Sequence, residues 1–265
     1  MLINTLNFAF TDFSSQIKYS LNAGGNTFSD TDAMVYQIDQ AIENGINFYD
    51  GYFLRDINET TFKSIFTANI DMPMAKEKTN VLNKVGEILV AEYKGDWLNF
   101  IKSGPKNLYQ NGEGLIERLV YQFERFRDTS IYLGQEVHFL KLAQLAFWGI
   151  HRELSRHKDF YIEDMENMTA FADYIVPVAL EKMNIVTYSD KLKNKIEQGV
   201  LIESGSIEEI EIRSATLFVT AQLTEEINKL RGVDDKIIIP QLDFKLWTDF
   251  HAEKSFHHLT KTIMY

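Results

Sequence analysis

Cysteine is missing from all 265 residues of this chain, and proline occurs only four times. The missing cysteines exclude disulfide bonds, thiolate metal sites and cysteine nucleophiles, and they fit a cytoplasmic protein. Four prolines and 14 glycines leave little material for a flexible linker. We therefore expect one compact domain over residues 1–265, since a chain of this length can bury a large core.

Positive charge is also in short supply. The chain has 38 acidic and 27 basic residues, which gives a formal net charge of −11. An acidic surface repels phosphate backbones, so we expect no nucleic acid polymer as a partner, although a local basic cluster can hold a small anion. The amino terminus lacks the features of a signal peptide, and no stretch approaches the roughly 20 apolar residues of a membrane helix. These observations predict a cytoplasmic protein without a membrane partner.

Apolar residues recur at helical spacing through most of the chain, which predicts eight to ten helices and little or no sheet, a mainly α fold. Residues 1–30 are expected to be irregular or shortly extended. Ser206 and Glu209 form a capping-box pattern at a helix start, and the β-branched run 237–239 favours one short strand. The predicted helices cover residues 31–45, 59–66, 74–92, 115–126, 137–154, 165–183, 188–198, 206–230 and 240–250.

The common metal and phosphate motifs are absent from the sequence. It contains no Walker loop, no GxGxxG, no HExxH and no EF-hand loop. His257 and His258 are adjacent, so on a helix or strand their side chains would point in different directions. We expect no metal and no cofactor.

Two aspartates lie among aromatic residues. Asp173 follows Phe171 in an apolar helical pattern, where it is either a surface or hydrogen-bonded residue or a partner for a stacked heterocycle. Asp243 shares a helical stripe with Leu246 and Trp247. It is either a first-turn aspartate favoured by the helix dipole or a carboxylate held in an aromatic pocket.

Basic side chains near the C terminus offer a second candidate site. Arg213, His258 and Lys261 could together hold a phosphate if the fold brings them close. They could equally form a solvated edge.

Several short motifs, in a fixed order along the chain, resemble those of one family. Residues 168–177 resemble its Thr-x-Phe-Ala-Asp-Tyr-x-x-Pro signature. Further resemblances lie at residues 5–10, 126–128, 141–144, 188–190, 209–213, 242–247 and 258–265. On these motifs the chain is identified as a member of the queuosine 5′-phosphate N-glycosylase, or queuosine salvage, family, over essentially its whole length.

The resemblance implies a fold similar to that of helical DNA glycosylases, and an activity. The enzyme would hydrolyse the N-glycosidic bond of queuosine 5′-monophosphate, a small-molecule substrate, and release queuine for salvage into tRNA modification. A carboxylate beside C1′ would stabilise the oxocarbenium-like charge on the ribose. The residues implied are Asp243 and Asp249 for catalysis, Phe171 for stacking on the deazapurine, Asp173 for its polar edge, and Phe244 and Trp247 for the rest of the pocket.

The sequence departs from the family pattern at two positions. Ile175 stands where the family often has arginine. Thr248 stands where the family has its second aspartate, and Asp249 comes one residue later, which is about 100° of rotation on a helix. Either a local distortion returns Asp249 to the pocket, or Asp243 stabilises the charge alone, or the activity is weak. The alternative functions are an N-glycosidase for queuosine nucleoside or another deazapurine nucleotide, and a binding protein for the queuine nucleotide that lost catalytic activity through Thr248.

Overall fold

The computed structural model describes residues 1–155, 161–251 and 256–265. Within these ranges the protein is mainly α, with twelve α-helices and two small antiparallel sheets of two strands each. This confirms the predicted fold class. Within the same ranges, no helix combines the length and the apolar character needed to cross a bilayer.

The chain divides into two compact units. The first unit comprises Met1–Pro105, Gln110–Arg127 and Ile263–Tyr265, and the second comprises Lys106–Tyr109 and Asp128–Thr262. The single domain over residues 1–265 stays a prediction.

The first unit is built on one long helix. Its elements are α1 (Leu2–Leu6), β1 (Ser20–Ala23), β2 (Asn26–Ser29), α2 (Asp30–Glu43), α3 (Gly51–Asp56), α4 (Glu59–Ile65), α5 (Ala75–Tyr93), α6 (Trp97–Lys102) and α7 (Leu115–Gln122), followed by a 3-10 turn at Glu124–Phe126. Helix α3 packs most closely on α5 at Gly86, where an added Cβ would lie 2.2 Å from the nitrogen of Arg55. Strands β1 and β2 form a hairpin in which Ser20 pairs with Ser29.

In its described part, the second unit contains a hairpin and five α-helices. Its elements are β3 (Thr129–Tyr132), β4 (Gln135–His138), α8 (Lys141–Leu154), α9 (Ile175–Lys182), α10 (Asp190–Glu197), α11 (Ile207–Lys229) and α12 (Ile239–Phe250), with 3-10 turns at Met165–Asn167 and Val233–Asp235. Helices α9 and α12 meet in an apolar cluster of Val176, Ala179, Leu180 and Leu246. This cluster fixes one face of α12 in the interior.

Most long helices begin and end within a few residues of the predicted limits, while three short helices and both hairpins were not predicted. The short helices are α1, α3 and α6. At α11 the Ser206 hydroxyl accepts from the Glu209 N–H at 3.3 Å, as predicted. The Glu209 carboxylate, however, accepts from the N–H of Gly205 at 3.1 Å. Half of the predicted capping box is therefore formed, and the other half is shifted by one residue.

Three predicted elements were wrong. The strand at residues 237–239 does not form, because the Asn228 side chain bonds both the N–H and the carbonyl of Ile237, and α12 begins at Ile239. Residues 137–138 belong to β4, and α8 starts only after Leu140, whose N–H bonds the Asp128 carbonyl.

The third error concerns the predicted helix 165–183, of which only α9 is α-helical. Pro177 lacks an N–H and is tolerated only in the first turn of a helix, so α9 cannot extend far upstream of it. As a result, Phe171 and Asp173 precede the helix.

Candidate active site

Helix α12 carries a buried carboxyl group at Asp243. This side chain is only 2% exposed, and it lies on the same inward face of α12 as Leu246. Its Oδ2 accepts a hydrogen bond from the main-chain N–H of Phe171 at 2.9 Å. Asp243 is therefore an interior residue. It is not a solvated first-turn aspartate of the kind that the helix dipole favours.

The surroundings of Asp243 favour its neutral form. Burial raises the pKa of Asp243 from 3.8 to about 8, and the negative charge of Asp173 adds to this effect. The hydrogen bond from Phe171 and the charge of Lys141 act in the opposite direction but do not outweigh it. Near neutral pH the free protein therefore holds Asp243 mostly protonated. Because Oδ2 accepts the amide hydrogen bond, the proton is best placed on Oδ1.

The chain segment before α9 is fixed from α8. The Gln144 side chain accepts from the Thr169 N–H at 2.8 Å and donates to the Thr169 hydroxyl at 2.9 Å. Gln144 also donates to the carbonyl of Phe139 at 3.0 Å. These bonds hold the backbone that presents the Phe171 N–H to Asp243.

Asp173 acts as a cap for α9. Its Oδ1 accepts from the N–H groups of Ile175 and Val176, at 2.8 and 3.2 Å, and the side chain is 6% exposed. The carboxylate is thus hydrogen-bonded, as one of the two interpretations of the sequence expected. It also lies close enough to Asp243 to raise the pKa of that group.

Three aromatic residues of the predicted site lie on the segment before α9 and on α12, near Asp243 in the chain or bonded to it. The Phe171 ring is buried and meets the Trp148 ring at 6.5 Å between centroids. Phe244 is 36% exposed, and the guanidinium of Arg152 lies 4.3 Å above its centroid. Trp247 is 37% exposed and stacks on His251 at 4.4 Å. Phe171 is thus next to Asp243, whereas Phe244 and Trp247 are both partly exposed.

Asp249 lies apart from Asp243 on α12. It is exposed and forms an ion pair with Lys245 at 2.5 Å. Six residues along a helix correspond to about 240° of rotation, so the two aspartates lie on different faces. No distortion returns Asp249 to the interior, since the Thr248 hydroxyl and the Lys245 ammonium both make ordinary i,i+4 contacts.

Arg213 is enclosed in a buried ion-pair network. It is 1% exposed, and its guanidinium bonds Asp128 at 2.9 and 2.5 Å and Glu209 at 3.3 Å. Its Nε donates to the Ala172 carbonyl at 3.0 Å, and the group lies 4.0 Å from the centroid of the Phe139 ring. These contacts favour a role in holding the segment between Phe171 and Asp173.

The other two basic candidates differ in exposure. His258 is 3% exposed, and burial, with the charges of His257 and Arg213, lowers its pKa to about 3. It is therefore neutral near pH 7. Lys261 is exposed to solvent. The structure places Arg213 and His258 in the interior and Lys261 at the surface.

The sequence did not single out the side chains that support the site. Lys141 is buried at the start of α8, and its charge acts on Asp243. Asp128 and Glu209 neutralise Arg213. Lys141, Gln144, Asp128 and Glu209 all belong to the motifs that carried the family resemblance, which is the signal that could have found them.

Two surface concavities are lined by other residues. One, of about 460 Å³, lies in the first unit between the β1–β2 hairpin, α2 and α4, and has no carboxylate or basic group in its lining. Another, of about 240 Å³, lies in the second unit around Tyr188 and Phe256. Among the described residues, no group of three or more histidine, aspartate or glutamate side chains could hold a metal ion.

A protonated, buried carboxyl group beside aromatic rings on a mainly helical scaffold is the kind of site that hydrolases of glycosidic bonds use. The family model of the queuosine salvage protein matches residues 1–265. The chain therefore belongs to the queuosine salvage protein family, which confirms the resemblance.

Curated relatives support the same assignment. A mouse protein is 26% identical over 253 residues, which cover 93% of this chain and 73% of the relative. A Sphaerobacter thermophilus protein is 25% identical over 268 residues, covering 100% of this chain and 80% of the relative. A Dictyostelium discoideum protein is 31% identical over 201 residues, covering 74% of this chain and 60% of the relative. Each is named queuosine 5′-phosphate N-glycosylase/hydrolase.

Proposed function

We propose that this protein hydrolyses the N-glycosidic bond of queuosine 5′-phosphate and releases queuine for salvage into tRNA modification. The observation that carries the proposal is Asp243, a buried carboxyl group with a pKa raised to about 8, in a chain of the queuosine salvage protein family. The net charge of −11 supports a small nucleotide rather than an intact nucleic acid as the substrate.

In this proposal Asp243 acts first as an acid. As the bond between C1′ and the base nitrogen breaks, its electron pair goes to the base, and the proton on Oδ1 of Asp243 passes to the base. The new carboxylate then lies beside the oxocarbenium-like ribose and stabilises its positive charge in a site of low dielectric. Water bonds to C1′ and returns a proton to Asp243, which completes the hydrolysis.

The surrounding residues have supporting roles. Phe171 fixes one oxygen of Asp243 through its N–H. Its ring is buried, so stacking on the deazapurine would require the ring to be uncovered when the substrate binds. Asp173 keeps the pKa of Asp243 high and could accept from the polar edge of the base. Phe244, half-exposed next to Asp243, would line the sugar side. Asp249 is exposed and has no step in this mechanism. Trp247, exposed to the same extent as Phe244, would line the pocket with it.

The test is release of queuine by the full chain. The purified protein is incubated separately with queuosine 5′-phosphate and with queuosine, and free queuine is followed by chromatography. We expect release from the nucleotide and loss of release in Asp243→Asn. Tight binding without release from either compound would mean a binding protein, and release from queuosine alone would mean a nucleosidase.

A further inference from the structure

The C-terminal half of α8 carries three hydrogen-bond donors on one face. Trp148, His151 and Arg152 are spaced by three and four residues, so their side chains are neighbours. Trp148 is 7% exposed. Among the described residues, neither its Nε1 nor the buried Nδ1 of His151 has a hydrogen-bond partner. Buried polar atoms are normally satisfied, so two such atoms three residues apart point to a ligand.

This face of α8 touches the neighbours of Asp243 on two sides. The Trp148 ring meets that of Phe171, whose N–H bonds Asp243. The Arg152 guanidinium lies 4.3 Å over the ring of Phe244, the residue after Asp243. Helix α8 thus contacts both Phe171, which is hydrogen-bonded to Asp243, and Phe244, which follows Asp243 in the chain. A ligand that meets Asp243 would therefore have this face of α8 nearby.

The three donors on α8 determine which kind of ligand group can bind there. An indole N–H and a guanidinium can only donate hydrogen bonds, and a histidine ring can donate from one nitrogen in either tautomer. A hydroxyl group accepts hydrogen bonds but also donates one and is neutral, whereas a phosphate offers several acceptor oxygens and negative charge. Arg152 is exposed and pairs with no carboxylate within the described part of the chain, so its charge is available.

A purely structural explanation accounts for only part of this arrangement. Basic side chains at the end of a helix interact favourably with its carbonyl groups, which would suit His151 and Arg152. It does not explain a buried indole N–H without an acceptor. The basic residues that the sequence suggested for phosphate also fit poorly, since Arg213 bonds two carboxylates and His258 is buried and neutral.

We infer that Trp148, His151 and Arg152 of α8 bind the 5′-phosphate of the nucleotide substrate. The inference rests on the proposed function for the identity of the ligand. With this phosphate site, α8 is the element that distinguishes a nucleotide from a nucleoside. The site lies beside Phe171 and Phe244, the neighbours of Asp243.

The test compares binding of ribose 5-phosphate and ribose, neither of which has a glycosidic bond to hydrolyse, by calorimetry on the full chain. We expect the wild-type protein to prefer ribose 5-phosphate at least ~10-fold. Trp148→Phe keeps the ring but removes the N–H, and Arg152→Gln removes the charge. Each should reduce the preference by about 5- to 10-fold. Lys229→Gln, which removes an exposed charge paired with Glu225 and Glu226, should leave it unchanged.

The outcomes separate this inference from the proposed function. Equal preference in wild type, Trp148→Phe and Arg152→Gln, or no preference in the wild type, would overturn the phosphate site even if queuine is released. If the wild type releases no queuine but the preference falls as expected, the phosphate site stands and the hydrolase proposal fails. Circular dichroism of each variant confirms that a lost preference is not a lost fold.

Discussion

The main-chain N–H of Phe171 donates to Oδ2 of Asp243 at 2.9 Å, and this bond joins the segment before α9 to the inward face of α12. The segment itself is anchored on one side by Gln144 and on the other by Arg213, which bonds the Ala172 carbonyl. The buried carboxyl group of Asp243 is thus bonded to a backbone segment that two other side chains, Gln144 and Arg213, hold in place. Such rigid support is what a group needs to act at one defined atom of a substrate.

Asp243→Asn should abolish hydrolysis and stabilise the protein at alkaline pH. The folded protein retains a proton that the unfolded chain releases near pH 3.8, so this group's contribution to stability is present below that value and is lost as pH rises through about 8. Asparagine can still accept from Phe171 but never becomes a buried anion. We expect the free energy of unfolding of the variant to be higher than that of the wild type by roughly 2 kcal/mol at pH 9. At pH 5 the difference should be smaller.

Urea unfolding of both proteins at pH 5 and pH 9 measures this difference. Equal stability of the two proteins at pH 9 would mean that Asp243 is not a buried anion there. Retained queuine release by Asp243→Asn would mean that another group supplies the chemistry.

Asp173→Asn should move the pH dependence of catalysis. If protonated Asp243 is required, kcat/KM is constant at lower pH and falls as pH rises through about 8. The charge of Asp173 raises the pKa of Asp243, so its removal should shift this fall to lower pH. Asparagine can still accept from the N–H groups of α9, so the cap should survive.

The measurement is kcat/KM between pH 5 and 10 for the two proteins. Asp190→Asn, a change in the first turn of α10, is the control and should leave the midpoint where it is. A wild-type profile that rises through pH 8 would contradict the acid role and require the carboxylate form instead.

Arg213→Lys should lower stability without altering the choice between nucleotide and nucleoside. Lysine keeps the charge but cannot form the two bonds to Asp128 while also bonding Glu209 and Ala172. Loss of contacts in a buried ion-pair network typically costs about 3–5 kcal/mol when a partner charge is left unpaired, and we expect part of that cost here.

Denaturant unfolding measures the loss, and the ratio of kcat/KM for queuosine 5′-phosphate and queuosine measures selectivity. A stable variant whose selectivity for the nucleotide collapses would assign Arg213 to the phosphate instead. Lys193→Arg, at an exposed lysine that pairs with Glu181, is the matched control for a change between the two basic residues.

Local patterns in the sequence predicted the helices with a wide apolar face, because their burial depends on spacing alone. They failed at Phe171 and Asp173, which fit a helical period but are kept out of α9 by Pro177 and by the Asp173 cap. They failed again at Ile237, where a strand-like run is bonded by the side chain of Asn228. In each case a particular side chain decides the structure, and the spacing of apolar residues carries no information about its contacts.

For a similar reason the sequence proposed Asp243 as a site residue but not the residues that contact it. Asp243 was proposed because an aspartate level with aromatic residues is unusual in one helix. The bond between Phe171 and Asp243 joins residues 72 positions apart, and the network of Asp128 and Arg213 joins residues 85 apart. Only the family motifs hinted at these pairs, since nothing local links a residue to a partner at that separation.

Asp249→Ala should leave hydrolysis within about twofold of the wild type. Asp249 is exposed and pairs with Lys245 on the solvent side of α12, and exposed pairs of this spacing contribute little to a helix. Asp243, six residues earlier, faces the interior and keeps its bond to Phe171 whatever stands at position 249. The measurement is kcat/KM for queuosine 5′-phosphate, with Lys245→Ala as the control that breaks the same ion pair from the other side. If both variants behave like the wild type, Asp243 works alone. A large loss in Asp249→Ala that Lys245→Ala does not share would show that the carboxylate itself reaches the substrate, and the assignment of catalysis to a single aspartate would be wrong.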